Sequence, residues 1–146
     1  DAPMALADVA PLEYDAVVIP GGHGPMADLA TDSDMGRILI AANDAGMLIA
    51  PFCHGPAALL SAETPETGFA FSGRRLTVFT NEEELNGGTG ENTPWMVADA
   101  LADKGAVVEV GPAWESFVVT DGNLITGQNP QSSVDVAQQV LASLPD

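Results

Sequence analysis

The chain has 146 residues, 46% of them hydrophobic, enough for one domain with a sizeable core over residues 1–146. Its 21 acidic residues against 4 basic ones give a formal charge of −17, which argues against nucleic acid and anionic membrane surfaces as partners. A single cysteine excludes an internal disulfide, no apolar run reaches the length of a membrane span and no basic leader opens the chain, so a reducing, cytoplasmic setting is expected.

Residues 1–13 are rich in Ala and Pro and read as a loop leading in. Tyr14 to Ile19 is a short β-branched run suited to a buried parallel strand, and it stops at the glycine-rich loop Pro20-Gly21-Gly22-His23-Gly24-Pro25. Ser33 or Asp34 can cap a helix whose apolar face is Met35, Ile38, Leu39 and Ala42, with Gly46 placed to end it. A second apolar run, Met47 to Phe52, reads as a strand, and Gly55-Pro56 opens a helix behind it, with Pro56 in the first turn. Residues 61–75 are polar and loop-like. Leu76 to Thr80 reads as a strand giving way to the acidic corner Asn81-Glu82-Glu83-Glu84. Thr93-Pro94 begins a helix that runs to Lys104, with Gly105 as its stop, and Ala106 to Val110 is a strand. Two further runs flank Asp121-Gly122, a dipeptide suited to a tight hairpin, and a last helix covers about Pro130 to Leu144.

Strands alternating with helices predict an α/β layer fold with a mainly parallel sheet. Ligands of such sheets gather beyond the carboxyl ends of the strands. Three loops follow predicted strands: Gly21-Gly22-His23-Gly24, Cys53-His54 and Glu82-Glu83-Glu84. All three are expected on the same edge.

Cys53 stands at a strand-to-helix corner, where helix-start N–H groups favour thiolate over thiol. His54 offers an imidazole as base, one acid of the 82–84 cluster can orient it, and Gly21 and Gly22 let a substrate oxygen approach backbone N–H groups. Each of these residues alone has an ordinary reading: a small buried thiol, a solvated loop histidine, a turn, an acidic surface patch. Neighbouring side chains also point apart on a regular element, so Cys53 and His54 can cooperate only across a sharply turned corner. A metal is not expected, because His23 and His54 are the only histidines, lie in different loops and one already has a role.

Val18-Ile19-Pro20-Gly21-Gly22-His23-Gly24, Cys53-His54-Gly55-Pro56-Ala57 and Asp121-Gly122-Asn123-Leu124-Ile125-Thr126-Gly127-Gln128-Asn129-Pro130 together resemble the PfpI-type, class I glutamine amidotransferase-like superfamily, and within it the glyoxalase III and holding-chaperone branch. The resemblance implies a flavodoxin-like three-layer sandwich and a cofactor-independent lyase that converts methylglyoxal or glyoxal to lactate or glycolate, with deglycase and chaperone roles ascribed to relatives. It implies Cys53 as nucleophile, His54 and Glu84 completing a triad with Glu83 as rival acid, and Gly21, Gly22, His23 and Glu83 at the substrate, the amides of Gly22 and His54 forming an oxyanion hole. The family opens with a strand–helix–strand segment carrying a proton-transfer glutamate, for which neither Glu13 nor Asp15 is placed. A homodimer or a companion amino-terminal segment is therefore expected. Alternatives are a cysteine peptidase or amidase on the same dyad, or a non-catalytic chaperone in which Cys53 senses oxidants.

Overall fold

The computed structural model describes residues 2–145. Two strands from the predicted runs, β1 (Ala16–Ile19) and β2 (Leu48–Pro51), lie parallel in register, Ala16 opposite Leu48 and Ile19 opposite Pro51. Between them the chain forms the one-turn helix α1 (Gly24–Ala27) and the longer α2 (Ser33–Asp44). The α2 cap is Asp32, one residue before the expected Ser33 or Asp34: its carboxylate accepts the Met35 amide at 2.8 Å, which leaves Ser33 inside the first turn. Met35, Ile38, Leu39 and Ala42 are buried as their spacing predicts.

After β2 comes a seven-residue 3-10 helix, Gly55–Ser61, with a proline in its first turn. The segment read as a polar loop instead holds a small hairpin, β3 (Glu63–Thr64) against β4 (Gly68–Phe69), and buries Phe69 and Phe71. The strand expected over Leu76 to Thr80 is only β5 (Arg75–Leu76), paired in parallel with β6 (Val107–Val108). Beyond Leu76 the backbone leaves the ladder: the Thr77 amide donates to the Thr126 hydroxyl at 2.9 Å and the Phe79 amide to the Cys53 carbonyl at 2.9 Å. The acidic corner is itself a helix, α3 (Asn81–Asn86), followed by α4 (Val97–Asp103). The hairpin is β7 (Val118–Asp121) and β8 (Leu124–Gly127), antiparallel, and α5 (Ser133–Ser143) closes the chain.

The main sheet has the order β1-β2-β8-β7, with β1, β2 and β8 parallel and β7 reversed. Alternate residues face opposite layers. Ile19, Ile49 and Leu124 join α2 and the 3-10 helix in the larger core, while Ala50 and Ile125 meet Val136 and Val140 of α5 on the other side. This is the expected three-layer arrangement. β1 forms one edge of that sheet, where Val18 stays 52% exposed and an apolar groove runs past Val9, Tyr14, Val17 and Leu29. No helix among the described residues is long and apolar enough to cross a membrane.

Candidate functional site

The ends of β1 and β2 and the start of α3 meet where three loops were expected to converge. The Phe52 amide donates to the Ile19 carbonyl at 3.1 Å and the Cys53 amide to the Gly127 carbonyl at 2.9 Å, so the corner is held from both neighbouring strands. Within that clamp Cys53 takes φ +59, a left-handed conformation that costs a non-glycine residue on the order of 1–2 kcal/mol. The bend is what overcomes the divergence of adjacent side chains: Cys53 Sγ lies 3.4 Å from His54 Nδ1.

The glycine loop packs directly on this corner. A Cβ on Gly21 would fall 2.5 Å from Cys53 Cβ and 2.9 Å from Sγ, so only glycine fits. Gly22, at φ +82, and His54 each set a backbone amide near enough to the sulfur to favour its charged form. A Gly21→Ala substitution should force the cysteine corner apart and lower the unfolding temperature by several degrees. A thermal melt checks this; a wild-type unfolding temperature would refute the close fit.

Glu83 and Glu84 separate cleanly. Thr80-Asn81-Glu82-Glu83 is a capping box in which the Thr80 hydroxyl accepts the Glu83 amide and the Glu83 carboxylate accepts the Thr80 amide at 3.1 Å. The other Glu83 oxygen accepts the Trp114 amide at 3.0 Å and Asn129 Nδ2 at 2.8 Å. With 0% exposure Glu83 cannot contact a substrate, a correction to its expected place there. Glu84, one residue on, accepts His54 Nε2 at 2.5 Å on Oε2. Its Oε1 accepts His23 Nε2 at 2.7 Å, Thr89 Oγ1 at 2.6 Å and Thr93 Oγ1 at 3.2 Å. Thr89 carried no motif of its own, Thr93 was read only as a helix start and Asn129 only as part of the closing signature, whereas the T-x-x-E box at Thr80 was readable and already sets Glu83 apart as a capping residue. The two histidine rings lie 4.1 Å apart by centroid, so the reason for expecting no metal, their separate loops, does not hold in the fold.

Burial alone would raise the Glu84 carboxyl, but the bonds from Thr89, His23 and His54 outweigh it and hold the group at about 2. An ionised carboxylate only accepts, so both imidazoles carry their proton on Nε2. Nδ1 of neutral His54 is then bare and faces the thiol. Burial also pushes His54 below its ordinary value, more than Glu84 lifts it. For Cys53 burial dominates again and raises the thiol; the Gly22 and His54 amides pull the other way, and the charges of Glu83 and Glu84 add to the rise. The expected stabilisation of thiolate by a helix start is thus overridden. A seven-residue 3-10 helix is a weak dipole, and Cys53 is 6% exposed. The resting pair is therefore a neutral thiol beside a neutral imidazole. In metal-free protein, iodoacetamide alkylation of Cys53 should be slow at neutral pH and still rising beyond pH 9, since the thiolate fraction grows only as pH passes the raised value. A rate that levels off below pH 7 would contradict this.

Beside the Oε1 face of Glu84 opens a cavity of about 340 Å³ lined by His23, Met26, Thr89, Asn92, Thr93 and Pro94. His23, 47% exposed at its side chain, links that cavity to the buried His54.

Comparison with known proteins agrees with the fold. Residues 2–143 match the DJ-1/PfpI family. Glyoxalase 3 of Candida albicans is 32% identical over 142 residues, 93% of this chain and 60% of its own length. The protein/nucleic acid deglycase HchA of Staphylococcus aureus is 33% identical over 147 residues, covering 93% of this chain and 50% of the deglycase. Among solved structures, the Francisella tularensis Rapid Encystment Protein 24 KDa superposes with a TM-score of 0.92 at 32% identity, over 98% of this chain and 64% of that one. Candida albicans glyoxalase III superposes with a TM-score of 0.82 at 30% identity, over 96% and 61%. The chain thus spans half to two thirds of the length of these relatives. With the family match running over nearly every residue and the cysteine elbow in place, the chain belongs to the DJ-1/PfpI family.

Proposed function

We propose that the chain carries the thiol centre of a cofactor-independent glyoxalase that turns methylglyoxal or glyoxal into lactate or glycolate. One observation supports this above the rest: Cys53 Sγ, His54 and Glu84 form an unbroken line, 3.4 Å from sulfur to Nδ1 and 2.5 Å from Nε2 to Oε2. Because thiol and imidazole are both neutral at rest, His54 acts as general base during attack and not through a preformed thiolate. Sulfur adds to the aldehyde carbon while its proton passes to Nδ1, and the new alkoxide takes a proton to give a hemithioacetal. The amides of Gly22 and His54, which favour negative charge at the sulfur, stabilise the oxygen that becomes negative.

The C1 proton then moves to C2 through an enediol, which leaves a thioester of the 2-hydroxy acid. This step is an internal redox exchange and needs no external oxidant. Water cleaves the thioester to the acid and restores the thiol. His23, bonded through Nε2 to Glu84 and on the cavity wall, presents the second imidazole for the carbon-to-carbon transfer. The small exposure of Cys53 favours two- and three-carbon aldehydes over a glycated protein side chain. The test is loss of methylglyoxal without glutathione, followed with formation of lactate. Protein that releases amine from glycated peptides but leaves free methylglyoxal untouched would overturn the reading.

A further inference from the structure

We propose that Nε2 of His23, Nε2 of His54 and the carboxylate of Glu84 form a binding site for a divalent zinc ion. Each of the three offers one donor atom, and these atoms all lie within 4.8 Å of one another. Tetrahedral zinc with bonds near 2.0–2.1 Å sets its ligands roughly 3.3 Å apart, so the widest separation closes by at most about 1.5 Å while the two imidazole–carboxylate contacts open by less than about 1 Å. The part that must move is built to do so: His23 is 47% exposed and follows Gly22, whose φ is +82.

Two imidazoles and a carboxylate are a donor set for zinc and not for magnesium or calcium, which take oxygen. Support around the ligands is already in place. Thr89 and Thr93 donate to Glu84 Oε1 at 2.6 and 3.2 Å. The adjoining cavity of about 340 Å³ is lined by His23, Thr89 and Thr93 and has room for a water as fourth ligand. The formal charge of −17 draws cations toward it.

Zinc needs the lone pair on Nε2, so each ring must carry its proton on Nδ1 when the ion binds. His54 then has neither nitrogen free, and zinc competes with the base function assigned above. The site itself follows from the geometry alone and does not depend on the aldehyde reading; a protein without methylglyoxal turnover would still bind the ion.

Calorimetric titration of the metal-free chain with ZnCl2 tests it, on wild type, His23→Ala and Cys53→Ser. The acidic surface is controlled by repeating each titration in excess Mg2+. One zinc per chain should bind in the presence of Mg2+, with the affinity unchanged in Cys53→Ser and reduced about 100-fold in His23→Ala. Co2+ in place of zinc should give visible ligand-field bands without a near-ultraviolet thiolate charge-transfer band. Unchanged affinity in His23→Ala, loss of binding in Cys53→Ser, or a thiolate band with Co2+ would each overturn the site. Since His23 is exposed and outside both cores, its alanine variant should fold, and a matching circular dichroism spectrum shows that it has.

Discussion

Cys53→Ser is expected to remove glutathione-independent methylglyoxal turnover, by about 10⁴-fold or more. The size follows from chemistry and not from packing. Serine is nearly isosteric, and the corner is fixed by backbone bonds to Ile19, Gly127 and Phe79 that the substitution leaves alone. What disappears is a nucleophile that a neutral imidazole can deprotonate during attack; a hydroxyl gives up its proton far less readily to a base that burial has already weakened. The variant should keep the wild-type unfolding temperature to within a few degrees, and mass spectrometry should find no aldehyde adduct at this position. Residual turnover at a tenth of wild type would mean that another group attacks the aldehyde, and the line from sulfur to Glu84 would lose its assigned role. Measuring both quantities on one preparation keeps a folding defect from passing as a chemical one.

The layer fold was legible because its signals are local. The apolar runs around Val17 and Ile49, the α2 face of Met35, Ile38 and Leu39, and the Asp121-Gly122 turn each report on a few adjacent residues, and each appears in the structure within a residue or two. The convergence of three loops followed from strand direction alone. What the sequence hid was long-range. The 77–80 segment has the composition of a strand, but its amides are taken by the Thr126 side chain and the Cys53 carbonyl, partners remote in sequence. Phe69 and Phe71 lie in a stretch of polar neighbours, and only the tertiary fold shows that both are buried. The thiol's raised pKa was out of reach for the same reason. A helix start can be read from Gly55-Pro56, but the depth of burial that outweighs it cannot.

Glu83 and Glu84 are adjacent and chemically identical, yet their replacement should fail in opposite ways. Glu83→Ala takes the acceptor from three buried donors, the Thr80 amide and hydroxyl and Asn129 Nδ2, and from the part-buried Trp114 amide. Each donor left without a partner costs about 1–3 kcal/mol, and only some can be rescued by water at a site with 0% exposure. A loss of about 3 kcal/mol or more should lower the unfolding temperature by roughly 10 °C. Molecules that remain folded at low temperature should keep most of their activity, because Glu83 touches neither imidazole nor sulfur. Glu84→Gln should act the other way. The amide keeps the shape, but it can accept from one imidazole only if it turns its NH2 toward the other, and the Nε2–H tautomer of His54 loses its partner. Turnover should fall by about 10³-fold with a smaller shift in unfolding temperature than Glu83→Ala gives. The two positions share a helix turn, a charge and an identical side chain, and both variants remove one acidic group, so a general effect of lost acidity does not separate them. If Glu83→Ala instead removed activity from a stable protein while Glu84→Gln stayed active, the acid that orients His54 would have to be Glu83, against the 2.5 Å contact that joins His54 to Glu84.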